Sequence, residues 1–332
     1  MDTSPWFYVG FTAFVLAMLA LDLGVFHRKA HVVRPKEAAM WVAIWAGLAF
    51  IFGCILYIWR GAEPALLFAT GYLIEQSLSV DNLFVIVMIF SYFSVPEKYQ
   101  HRVLFWGILG ALVMRGMFIA VGTILISRFT WVMYIFGAFL IFTGIRMAFE
   151  HDEEFDAEKN IVMRTARRFL RVTNRYDGQR FFSIENGVKV ATPLLLVLIL
   201  VEFVDLVFAV DSIPAIFAVT TNPFLVYTSN VFAILGLRSM YFLLSGIVHK
   251  FVYLKYGLSV ILTFVGTKMV IVDFYHVPVL LSLAVIIMVL AVSIAVSLKF
   301  PPKEAPQPHH RTGSIFGAVF PSERSREDSE RS

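Results

Sequence analysis

The sequence predicts an all-α polytopic membrane protein of about nine transmembrane helices, in which one three-helix unit recurs as an inverted repeat. Three observations carry that prediction. Of 332 residues, 58% are hydrophobic and only 16% charged, with a mean hydropathy of +0.75. A soluble domain of this size has no use for so much apolar surface. The excess is gathered into continuous runs, several longer than the ~18 residues that mark a spanning helix, and not into the alternation of a transmembrane barrel. Finally, the run over residues 70–95, TGYLIEQSLSVDNLFVIVMIFSYFSV, encloses two acids, and the run from Leu198, LILVEFVDLVFAVDSIPAIFAV, repeats the pattern. A carboxylate in hydrocarbon costs about 2.5 kcal/mol or more on insertion scales, so an acid there is a candidate functional group.

The apolar segments fall at about 6–26, 40–59, 66–95, 104–127, 131–149, 191–220, 224–248, 257–275 and 277–299. The first begins at Trp6 with Asp2 as the only charged side chain before it. It lacks the basic start and small-residue cleavage site of a signal peptide, so it reads as a retained helix. Residues 1–65 then hold two N-terminal spans, 66–149 a three-helix unit, 191–275 its second copy and 276–300 the ninth span. Between the units lies a charged loop, 150–190. Its basic run MRTARRFLRV reads as an interfacial helix on anionic lipid. The acids flanking that run, Asp152, Glu153, Glu154, Asp156 and Glu158, argue against nucleic acid. The tail, 301–332, is rich in Pro, Ser and charge and reads as disordered. The lone Cys54 excludes an internal disulfide and any multi-cysteine metal site.

Orientation follows from Lys and Arg in the loops. The first, third, fifth and seventh loops and the tail carry 22 of them, whereas the alternate loops carry only Arg60 and Arg128. The N-terminus is therefore expected outside and the C-terminus in the cytoplasm. The formal net charge of +4 reports this loop chemistry and not a polyanionic partner.

Asp81 recurs as Asp211 at an offset of 130, MRGMF (114–118) as LRSMY (237–241) at 123, and YIFGAFLIFTGIRM (134–147) as YGLSVILTFVGTKM (256–269) at 122. Spans three to five thus match spans six to eight. A three-span unit has odd parity, so its second copy enters the membrane from the opposite side. Transporters built this way bind substrate near the bilayer midplane, between the repeats.

Five acids form the candidate site: Glu75 and Asp81 in the third span, and Glu202, Asp205 and Asp211 in the sixth. Glu75–Asp81 and Asp205–Asp211 share the spacing acid-x5-acid. In antiparallel copies Glu75 should lie level with Asp211 and Asp81 with Asp205, the two levels about 9 Å apart at 1.5 Å per residue. Glu202 has no counterpart; Tyr72 stands at its matching position. Six residues turn a helix by about 240°, so paired acids face different neighbours unless the segment is distorted. Pro214 favours distortion in the sixth span. Ser77, Ser79, Asn82 and Ser212 flank the acids and offer oxygen ligands, or satisfy backbone groups that a distorted helix frees.

Arg115 and Arg238, repeat mates in spans four and seven, are the charge-compensating groups. Two arginines against five acids leave an excess negative charge too costly to bury, so some acids are protonated or hold a cation. All candidate ligands are oxygen donors, which suit Mn²⁺, Ca²⁺ or Mg²⁺; zinc and copper favour His or Cys. Met88 reads as packing, Arg146 and Lys268 as side chains snorkelling from near span ends, and Asp22, Asp273 and His276 as interfacial. The chain has no P-loop, no zinc-protease motif and no nucleophile elbow, so no enzyme is indicated. Transport without a Walker motif would be secondary, and the same carboxylates could exchange a proton for the metal.

At LDLGVFHRKAH, TGYLIEQSLSVDNLFV, YQHRVLFWGILGALVMR, LVEFVDLVFAVDSIPAIFAVT and SNVFAILGLRSMYFLL the chain resembles the TerC family, across essentially the whole membrane region. The resemblance implies membership of the LysE-like exporter superfamily, manganese export in metal homeostasis, and a place in the bacterial inner membrane. It also implies a link to tellurite resistance and to alkaline-induced expression. It places the acidic site on Glu75, Asp81, Glu202, Asp205 and Asp211. Mn²⁺ is then a transported substrate, and no permanently bound cofactor is expected. The expected partners are membrane lipid, the divalent cation and a counter-transported proton, with no nucleic acid. Two other readings stand beside this one: a Ca²⁺ or proton/cation exchanger, and a non-transport scaffold acting through the 150–190 loop.

Overall fold

The computed structural model describes residues 5–21, 35–149, 163, 165, 166, 168, 170–173, 175–185, 187–245 and 253–300. Among these residues the chain forms α1 (Pro5–Leu21), α2 (Pro35–Arg60), α3 (Ala62–Tyr92), α4 (Glu97–Arg128), α5 (Val132–Phe149), β1 (Phe182–Glu185), β2 (Val188–Ala191), α6 (Pro193–Phe217), α7 (Pro223–Leu244), α8 (Leu254–Val270) and α9 (Val279–Lys299). Local chemistry sets many of these boundaries. Pro193 and Pro223 begin α6 and α7, where a missing N–H costs nothing. Asn222 caps α7, its side chain accepting from the Phe224 and Leu225 amides at 3.0 and 3.4 Å. Gly61, at φ +91°, makes the one-residue break between α2 and α3. Asp22, the first-loop arginines and the tail after Phe300 lie outside the described residues, as do the flanking acids of the long loop.

Each expected apolar segment coincides with a helix, but among the described residues six are long and apolar enough to cross a membrane: α2, α3, α4, α5, α6 and α9. The apolar part of α1, Trp6–Ala20, is shorter. Helix α7 shows why the apolar count falls short. Every residue from 228 to 241 is buried, including Thr228, Ser229, Asn230 and Arg238. A helix surrounded by protein need not be apolar all round, because its polar side chains do not meet lipid.

Helix α3 packs on α7, α4 on α6, and α5 on α8, with α2 against α3 and α7 and α9 against α3 and α8. The α5–α8 contact is the tightest kind. A Cβ at Gly137 would come within 2.9 Å of the Gly266 carbonyl, and one at Gly144 within 2.8 Å of the Ser259 carbonyl. Ser259 Oγ donates to the Gly144 carbonyl across this interface. Without a hydrophobic drive between helices in lipid, small residues that admit close backbone approach hold such pairs together. The lipid-facing side of α2 carries exposed Phe50, Ile51, Ile55 and Ile58.

The long loop contains structure that the basic run did not foretell. Met163, Thr165, Ala166 and Arg168 are helical. Beyond them β1 and β2 form an antiparallel hairpin with Phe182 opposite Ala191 and Glu185 opposite Val188. Gly187, at φ +77°, sits in its turn. The hairpin is strapped to the bundle. Thr192 Oγ1 donates to the Arg180 carbonyl at 2.7 Å, and the Tyr176 hydroxyl donates to the Phe93 carbonyl at the end of α3, also at 2.7 Å. Burial pushes the Tyr176 phenol above its ordinary pKa. Met163 joins the apolar cluster of Val103, Leu104, Leu194 and Val197 at the same end of the bundle.

Candidate functional site

The site begins with helical spacing on α3. Glu75, Ser79 and Asn82 stand at i, i+4 and i+7, so they share one face, and all three are buried. That face meets Arg115 of α4, itself only 1% exposed. The guanidinium donates through Nη1 to Glu75 Oε1. It grips Asp205 of α6 as a fork, Nη2 to Oδ1 at 2.8 Å and Nε to Oδ2 at 3.3 Å. Nη1 also donates to Ser212 Oγ at 3.3 Å. One buried cation therefore ties α3, α4 and α6 together. Such a group is tolerated only when its charge and its donors are matched, and removing one partner of a buried pair costs about 3–5 kcal/mol.

Antiparallel register alone would pair Glu75 with Asp211, whereas Arg115 joins Glu75 to Asp205. The contact of Arg115 with Ser212 brings the neighbour of Asp211 to the same guanidinium. Asp211 itself turns to α5, where the Thr143 side chain hydrogen-bonds to it and Arg146 lies within electrostatic reach. Arg146 is exposed, as a snorkelling residue would be, yet it also serves this acid.

Glu202 lies against the α4 backbone at Gly110, so closely that a Cβ there would collide with its carboxylate. Asp205 stands one turn away from it on α6. Asp81 is half-buried on α3, which runs unbroken from Ala62 to Tyr92. Pro214 lies inside α6, which continues to Phe217. Ser77 donates to the Leu73 carbonyl of its own helix. Arg238 is buried on α7.

Several oxygens remain open. Glu75 Oε2, Ser79 Oγ and Asn82 Oδ1 are buried with no hydrogen-bond partner among the described residues. Asn230 of α7, fully buried, is in the same condition at both amide atoms. The sequence reading passed over Asn230, although a carboxamide in a spanning segment is a signal of the same kind as an acid there. Beside the Arg115 network, Asn82, Ile86, Leu104, Ala111, Asp205 and Leu237 line a cavity of about 20 Å³. That is room for about one water-sized occupant. The five acids do not converge as one ligand cluster: among the described residues, no three His, Cys, Asp or Glu side chains are placed to hold a single metal ion.

The sequence pattern of the family described as "Integral membrane protein TerC family" matches residues 60–305. A membrane protein of Myxococcus xanthus is 58% identical over 295 residues, covering 89% of this chain and 92% of the relative. Proteins of Escherichia coli (strain K12) and Salmonella typhi, each named "Putative membrane-bound redox modulator Alx", are 51% identical over 303 and 304 residues, covering 89% of this chain and 94% of each relative. No solved structure matches the chain.

Proposed function

Because the chain belongs to the TerC family of integral membrane proteins, we propose that it is a secondary transporter exporting a divalent cation, with Mn²⁺ as the first candidate substrate. The reading places it in the bacterial inner membrane and in the LysE-like superfamily, with its N-terminus outside. The observation that carries it is the convergence of Glu75 and Asp205, from α3 and α6, on one fully buried guanidinium beside a one-water cavity. Oxygen donors with no sulfur or imidazole among them suit a hard divalent ion. The carboxylates can also take protons, which gives the ion a counter-substrate at the same groups.

The inverted-repeat part of the reading draws support from the α5–α8 contact. Gly137 aligns with Ser259 and Gly144 with Gly266 in the repeat. Gly137 meets Gly266, and Gly144 meets Ser259. Exchanging the two units maps each contact onto the other, as a two-fold axis in the membrane plane requires. The redox wording of the Alx relatives fits an indirect role in this chain. With Cys54 as its sole cysteine, it cannot cycle an internal dithiol, so a redox effect would run through metal content.

Cell manganese is the test, measured in an exporter-deficient bacterial host under Mn²⁺ stress at equal membrane levels of protein. The wild type should lower cell Mn²⁺, whereas Asp205→Asn and Asp81→Asn should not. If wild type leaves cell Mn²⁺ unchanged, manganese export is wrong and the other-cation and scaffold readings move ahead.

A further inference from the structure

We propose that Arg115 is a tethered counter-cation: it fills the carboxylate site itself in the state described, and a divalent ion loads only by displacing its guanidinium from Glu75 and Asp205. The inference rests on the transport reading and assigns how that same site is kept when no substrate is present.

Occupancy comes first. Arg115 takes both oxygens of Asp205 and one of Glu75, the carboxylates that α6 and α3 bring to it. A divalent ion of the Mg²⁺ or Mn²⁺ kind would coordinate those same oxygens at roughly 2.0–2.2 Å. It cannot do so beside a guanidinium already within hydrogen-bonding distance, since the two like charges would then sit a few ångströms apart in a medium that screens them poorly.

The open oxygens show what the site lacks while Arg115 holds it. Glu75 Oε2, Ser79 Oγ and Asn82 Oδ1 are buried and have no hydrogen-bond partner among the described residues. They lie on the single face of α3 that runs from the guanidinium to the cavity. Buried polar atoms are seldom left this way without an occupant to come. Arginine has five donors fixed in one plane and cannot turn them along that face, whereas a small spherical cation can collect ligands from it. The carboxylates then face a cation in either state, the guanidinium or the ion, and the emptied site recaptures Arg115 instead of collapsing or leaking.

Initial rates of Mn²⁺ uptake into proteoliposomes containing the full chain and a Mn²⁺-quenched dye separate this from a structural role. A buried arginine that merely braced the fold would, when weakened, lower the rate without improving affinity. A competitor should do the opposite. Arg115→Lys keeps the charge but loses the fork. It should lower KM for Mn²⁺ by about tenfold if the arginine-filled state holds about 90% of wild-type molecules, since apparent affinity scales with the competent fraction. The maximal rate should fall as well, because a bound ion has lost the group that helps to expel it. Asp205→Asn should abolish uptake. An Arg115→Lys protein that elutes as a folded species with an unchanged or raised KM overturns the proposal while leaving transport intact. Wild-type proteoliposomes that move neither Mn²⁺, Ca²⁺ nor Mg²⁺ overturn the transport reading and this inference with it. Arg115→Met leaves two buried carboxylates without a counter-charge; where it still folds, it should shift KM in the same direction, and a rise in KM would count against the proposal.

Discussion

Glu202 occupies a position that α4 leaves open by carrying no side chain at Gly110. An alanine there would put a Cβ into the carboxylate, so either Glu202 swings away or α4 and α6 separate. Overpacking of this kind costs about 1–3 kcal/mol. Gly107, three residues earlier, is the matched control, because its Cβ would meet Val201 Cγ1 at an ordinary 3.4 Å. Gly110→Ala should therefore lower the thermal unfolding temperature and the transport rate more than Gly107→Ala does. Equal effects would show that the placement of Glu202 does not matter. The acids themselves were legible in the sequence, since a charge in an apolar run needs no fold to stand out. Their partners were legible only by kind. That Arg115 serves Glu75 and Asp205, while Asp211 goes to Thr143 and Arg146, depends on side-chain reach between helices, which spacing along one chain does not encode. Gly110 was missed for the same reason, since its meaning lies in what faces it, whereas Asn230 stood in an apolar run as the acids did.

At the level of elements, the α5–α8 pair depends on having no side chains at its crossing points. Gly144→Leu would drive a Cβ to 2.6 Å from Thr263 Oγ1 and 2.8 Å from the Ser259 carbonyl, where the obstacle is backbone and cannot turn aside. The expected loss is at the upper end of the ~1–3 kcal/mol range for overpacking, read as a fall in unfolding temperature in detergent. Gly10→Leu, with nothing within 4 Å of its Cβ, should be close to neutral. If both variants melt alike, the close approach is not what holds these helices. Helices were the easy part of the sequence, because continuous apolar runs mark them whatever their neighbours. Their boundaries came from Pro193, Pro223 and Gly61 as much as from hydropathy. The hairpin was overlooked beneath a basic run that drew attention to lipid. Its signal was present in Asn186-Gly187 set between FSIE and VKVA, a dipeptide whose chemistry favours a tight hairpin turn. The polarity of α7 was harder to read, since a helix enclosed by others resembles a poor span until its neighbours are known.

For the whole molecule, the arrangement has a consequence that neither a residue nor a helix carries alone. If α3 and α6 enter the membrane from opposite sides, the oxygens they share are reached by equivalent paths from both faces, and a small relative tilt of the units suffices to open one and close the other. The charge bias of 22 to 2 in the loops sets which face is which. Helix α5 lies between the end of α4 and the hairpin, so exposed positions in those two places should be separated by one crossing. In a Cys54→Ser background, Ser127→Cys at the exposed end of α4 should react with a membrane-impermeant thiol reagent in intact cells, or in spheroplasts for a Gram-negative host. Lys189→Cys on the hairpin should react only after the membrane is opened. The reverse pattern would invert the orientation but keep the parity that the repeat needs. Labelling of both positions from one side would remove the crossing, and with it the opposite topology of the two units, leaving Glu75 and Asp205 as partners in a static ion pair and not in a site open to each face in turn.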